Sequence, residues 1–147
     1  MSTYNHILVG LDLSPDSQQV VDRVKAILAN STAKVSFCHV LEPLSFTYGG
    51  DIPVDLSDVQ SELEKQAKER LAALSSQLGV SEENQYIVLG QPSHEMHALA
   101  KEKNVDLIVV GSHGRHGLAL IFGSTSNSVL HGATCDVLAV RIEESDE

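Results

Sequence analysis

The chain predicts an open, doubly wound parallel α/β sheet of five strands. Three observations predict it. Short apolar runs alternate with segments of helical periodicity. Glycine, proline and hydroxyl residues punctuate the ends of both. Strands separated by helices pair in parallel through right-handed crossovers. At 147 residues, the chain fits one domain with a substantial core.

The elements follow in order. His6-Ile-Leu-Val-Gly-Leu11 is a short apolar run and reads as a buried strand. Asp12-Leu-Ser14-Pro15 follows, where Ser14 is a good N-cap and Pro15 suits a first helical turn. Val20, Val21, Val24, Ile27 and Leu28 then recur at helical spacing, predicting a helix over roughly 15–30. Ala33 to Leu41 is the second strand, and Pro43, Gly49, Gly50 and Pro53 mark 42–54 as a long loop. From about Leu56 to Leu78 runs a polar helix with Val59, Leu63, Ala67, Leu71 and Leu74 on one face, closed by Gly79 at C′. Tyr86–Leu89 is the third strand, and Met96, Leu99 and Ala100 mark a helix that ends before Asn104. Val105–Val110 is the fourth strand; after a glycine-rich segment, Ser124 or Thr125 caps a helix running to about His131, and Asp136–Ile142 is the fifth strand.

Composition narrows the function. Ten basic and 20 acidic residues give a net charge of −10, which argues against non-specific nucleic-acid binding. No apolar run has the length of a membrane span. The start, Met-Ser-Thr-Tyr-Asn-His, has no basic stretch leading into an apolar one, so no signal peptide is expected and the cytoplasm is the expected location. Cys38 and Cys135 fall in apolar, strand-like runs, as reduced buried thiols do.

The segment from Gly111 to Ser126 carries the chemistry. It leaves the fourth strand through Gly111, Gly114, Gly117 and Gly123 and ends in Ser124-Thr125-Ser126. Glycines allow close approach and positive φ. A glycine turn that delivers free backbone N–H groups is a phosphate cradle. The alternative is a surface loop ending in a helix N-cap. In doubly wound sheets, ligands bind beyond the carboxyl ends of strands at a switch in strand order. If strands one and four are neighbours, Asp12 and the glycine segment meet there.

These residues resemble the universal stress protein family over nearly the whole chain. The opening strand ends in Asp12, and Ala33-Lys-Val-Ser-Phe-Cys-His39-Val40 resembles the family's second strand. Asp106-Leu-Ile-Val-Val-Gly111-Ser-His113-Gly114-Arg115, with Gly123-Ser124-Thr125, resembles its nucleotide loop. The resemblance implies a three-layer, Rossmann-like fold of the adenine nucleotide alpha hydrolase-like type, with strand order 3-2-1-4-5. It also implies a homodimer paired through the last strand. Binders in the family separate the second and third glycines by nine residues, whereas residues 115–122, eight in all, separate Gly114 from Gly123 here. The first half, around Leu11-Asp-Leu-Ser-Pro, resembles the A-type subgroup, which lacks the glycine motif.

The expected ligand is ATP, with or without Mg2+. The backbone N–H groups of Gly114, Ser124 and Thr125 would hold phosphates, Gly111 and Gly123 would let the chain approach, and the Ser124 and Ser126 hydroxyls would add donors. Arg115 would cover a phosphate and His113 would cap or contact one. Leu11 and Asp12, where the first strand ends, would also bind the nucleotide, with Asp12 near the ribose or a Mg2+ ion. The resemblance assigns the adenine to backbone groups of Val40. The acidic field opposes a triphosphate, so the site must supply its own donors or a metal ion. The alternative is an interaction module of the same family that binds no nucleotide. A slow ATPase is a third reading, with Asp12 and His113 as candidate groups; no nucleophile elbow or hydride-cofactor fingerprint is present.

His94 and His97 share a helix face, but no Cys/His spacing matches a zinc site, so no resident metal is expected. The last strand, Val137 to Ile142, is an apolar sheet edge, and an isologous pairing with a second copy would cover it.

Overall fold

The computed structural model describes residues 4–41, 57–113, 129 and 132–143. Its five strands are β1 (His6–Gly10), β2 (Lys34–Leu41), β3 (Gln85–Leu89), β4 (Leu107–His113) and β5 (Asp136–Ile142). Its helices are α1 (Ser17–Leu28), α2 (Ser57–Ser76) and α3 (Pro92–Glu102). The sheet order is β3-β2-β1-β4-β5 and every pairing is parallel. The predicted class and strand order are those of the structure.

Helices lie on both faces, so alternate residues of one strand enter two different cores. On one face α1 covers β4 and β5 while α2 covers β2 and β3. Ile7, Val9, Val20, Val21, Val24, Phe37, Ala67, Leu71 and Val140 form that core. On the other face Leu8, Cys38, Ile108 and Val110 pack with Met96 and Ala100 of α3 and with Val129, whose backbone is helical.

The polar end of the sheet is bound by residues far apart in sequence. His6 is buried, with Nε2 2.8 Å from Ser36 Oγ and Nδ1 3.0 Å from the Lys103 carbonyl. The Asp106 carboxylate accepts from the Asn5 and His6 amides, both at 2.9 Å. The Tyr4 hydroxyl donates to Asp136 at 2.7 Å.

Some boundaries differ from expectation. Helix α1 begins at Ser17 with Asp16 as its N-cap, rather than at Pro15 after Ser14. Ser14 instead anchors a preceding turn, in which the Ser17 amide donates to its carbonyl and the Asp16 amide to its hydroxyl. The stripe on α2 is only half buried: Ala67 and Leu71 are 5% and 1% exposed, while Val59 and Leu63 are 50% and 37% exposed. A helix of 20 residues spans about 30 Å, whereas five- and eight-residue strands span roughly 17 and 26 Å, so α2 outruns its support. Gly79 does close α2's turn with φ +68°, and Asn104 ends α3's with φ 57°.

Strand β4 is the largest revision. It begins at Leu107 and continues through Gly111 and Ser112 to His113, each paired with β5. Gly111 is therefore a strand residue, absent from the positive-φ glycines Gly79 and Gly90. Its glycine has another cause: a Cβ would lie 3.1 Å from Val20 Cγ2 and 3.2 Å from Ile142 Cδ1. Cys135 also lies outside a strand, half-buried one residue ahead of β5, while Cys38 is buried in β2; both are free thiols.

Candidate functional site

Strand lengths create the site. Gly10, the last residue of β1, pairs with Cys38, and β2 runs on to Leu41. Val9 pairs with Val109, and β4 runs on to His113. The central strand thus stops about three residues, roughly 10 Å, short of both neighbours. The resulting notch sits where the strand order switches direction, the place where doubly wound sheets bind ligands.

Asp12 stands on the notch floor. Its Oδ1 accepts from the Ser14 amide at 2.9 Å and the Ser17 hydroxyl at 3.0 Å. This Asx turn bends the chain from β1 into α1. Between them Leu13 adopts φ 62° while buried to 8% exposure. A left-handed leucine costs on the order of 1 kcal/mol, and the side chain's burial in the core offsets it. Asp12 itself is exposed.

The walls come from β2 and β4. Val40, half-buried, lies on β2 above the end of β1; Gly111 and the backbone of His113 lie on β4. The structure thus brings Leu11, Asp12, Val40, Gly111 and His113 to one end of three adjacent strands. Gly114, Arg115, Gly123, Ser124, Thr125 and Ser126 lie outside the described residues.

Nearby packing explains two further residues. A Cβ on Gly10 would meet Met96 Cε, so any side chain there would displace the thioether of α3 that crosses the end of β1. The Cys38 thiol is pushed up to about 12 by burial first and by the Glu95 charge second. That thiol is inert packing.

Sequence reasoning missed His39, whose ring Nδ1 lies 2.7 Å from the Leu11 carbonyl oxygen. The periodicity placed it on a strand, but only the strand pairing reveals the contact. His94 is exposed and His97 half-buried. His97 packs against Gly132, whose added Cβ would lie 2.9 Å from Nε2. Among the described residues no three His, Cys, Asp or Glu side chains are grouped to hold a metal, and no helix is long and apolar enough to cross a membrane.

Comparison with known proteins agrees with this architecture. A model of the universal stress protein family matches residues 3–141. Universal stress protein A homolog 2 of Coxiella burnetii is 46% identical over 147 residues, covering 99% of the chain and 100% of the relative. A crystal structure of a universal stress protein in complex with cAMP is 28% identical, with a TM-score of 0.62 over 95% of the chain and 98% of its own. A hypothetical protein, solved as a structural-genomics test case in assigning biochemical function, is 25% identical with a TM-score of 0.77 over 97% and 99%. The chain therefore belongs to the universal stress protein family.

Proposed function

We propose that this protein binds ATP in the notch above β1 and acts as a regulatory, homodimeric, cytoplasmic protein whose nucleotide occupancy is its signal. One observation carries the reading: β1 ends short between β2 and β4, with Asp12 on the floor and Val40 and Gly111 on the walls. A relative of the same fold is described in complex with cAMP, an adenine nucleotide.

In this reading each candidate residue has a role. The backbone of Val40 receives the base and the Asp12 carboxylate faces the ribose or a Mg2+ ion. The N–H groups of Gly114, Ser124 and Thr125 hold phosphates, assisted by the Ser124 and Ser126 hydroxyls, with Gly123 giving room. Arg115 supplies local positive charge against a net charge of −10, and His113 caps or contacts a phosphate. Mg2+, when bound with ATP, neutralises part of the triphosphate charge. Asp12 also holds the α1 turn through Oδ1, and we assign no dedicated catalytic activity.

Titration of the purified protein with Mg-ATP by calorimetry tests this reading. Binding with a matching thermal shift is expected; no heat and no shift at millimolar ATP overturn it. A second reading, an interaction module without nucleotide, is favoured by the eight residues between Gly114 and Gly123. It predicts a silent titration and no adenine nucleotide released from heat-denatured protein.

A further inference from the structure

Strands β1 and β2 separate at the notch floor in an unusual way. The Leu11 amide donates to the Cys38 carbonyl at 2.9 Å, carrying the ladder one residue past Gly10. In a regular parallel ladder the Leu11 carbonyl would then accept from the Val40 amide. The imidazole of His39 takes that carbonyl, with Nδ1 at 2.7 Å. A carbonyl oxygen only accepts, so Nδ1 carries the proton in this contact.

The consequence falls on Val40. Along a strand, backbone groups face alternate neighbours, so Val40 presents its amide and carbonyl to the same side as Cys38 does. The Leu11 amide bonds the Cys38 carbonyl, which makes that side the β1 side. Leu41 faces the other way, its carbonyl accepting from the Gly90 amide at 2.9 Å. The chain beyond Leu11 turns off through Asp12 and the left-handed Leu13. The Val40 backbone edge therefore faces the notch.

We infer that His39 is a positioning residue: by holding the Leu11 carbonyl it stops β1 from zipping further along β2 and keeps the Val40 backbone edge open for a purine base. The inference deepens the nucleotide reading and rests on it for the identity of the ligand. An adjacent donor and acceptor on Val40 match the ring nitrogen and exocyclic amine of adenine, and a strand already paired there would not accept them.

Amide hydrogen exchange by NMR, with adenosine titration, tests it in the intact protein. In the wild type the Val40 amide exchanges at least tenfold faster than that of Cys38. His39→Leu removes the ring donor, so Val40 becomes protected at least tenfold and adenosine binding weakens at least tenfold. His39→Asn places an N–H near the position of Nδ1 and restores both within about threefold. Unchanged Val40 exchange in His39→Leu overturns the inference whatever the nucleotide does. Ring 15N shifts of wild-type His39 need no variant: a protonated Nδ1 supports the inference and an unprotonated one overturns it. The expected exchange pattern in a protein that binds neither adenosine nor ATP upholds the role of His39 in the strand and overturns the nucleotide reading alone.

Discussion

Asp106 shows how one side chain ties the start of the chain to its last third. Burial pushes its carboxyl up, but the Asn5 and His6 amides more than offset this and hold it below the ordinary value of 3.8. A depressed folded-state value contributes stability above the unfolded value, lost as pH falls through the folded one. Asp106→Asn is therefore expected to destabilise at pH 7 by about 1 kcal/mol, a charged hydrogen-bond contribution discounted for partial exposure. The gap to wild type should close as pH drops below about 4; chemical denaturation at pH 7 and pH 3 checks this, and an equal gap at both refutes it. Cys38 makes a second prediction. Burial and a thiol pushed up to about 12 leave almost no thiolate at pH 8, so native Cys38 should resist a disulfide reagent and react fully on unfolding. Cys135 is also pushed up, by burial and then by Asp136 and Asp106, so it should react more slowly than an ordinary thiol. Position marked Asp12 as a site residue, since it lies just past a strand at a switch in strand order. The His39 contact was hidden, because it depends on geometry that composition does not encode.

Among the elements, β4 best separates what periodicity reveals from what it does not. The apolar run correctly located the strand's core but stopped at Gly111, since glycine weakens a strand and reads as a turn. Pairing with β5 carried the strand to His113. Val20 and Ile142 approach closely enough that any side chain at 111 would have to push them aside. Gly111→Val is expected to overpack this contact by about 1–3 kcal/mol. At roughly 2–4 °C per kcal/mol for a chain of this size, calorimetric melting should show a loss of several degrees. A melting point equal to wild type would mean that α1 moves aside without strain. Helix α2 shows the complementary error. Its apolar stripe was read correctly from spacing, but spacing carries no information about the length of the strands beneath.

Over the whole molecule, the alternation of elements predicts a parallel sheet and the family resemblance implies its strand order, and the sheet has both. The notch itself was not legible, because it arises from differences in strand length between β1 and its neighbours. The outer edge of β5 is where the proposed dimer belongs. Ala139 is exposed on that strand. Ala139→Asp would set like charges against each other across a two-fold axis, so dissociation should become about tenfold easier by sedimentation, equivalent to ~1.4 kcal/mol. Unchanged association would place the contact on another surface. The position of α1 also governs when the protein can fold. Its apolar residues Val20, Val21 and Val24 are synthesised early but rest on β4 and β5, which emerge last. Pairing of β1 with β4 likewise waits for about a hundred intervening residues. Such sequence-distant contacts slow folding. During synthesis, the oldest helix therefore completes its packing only once the newest strand has left the ribosome.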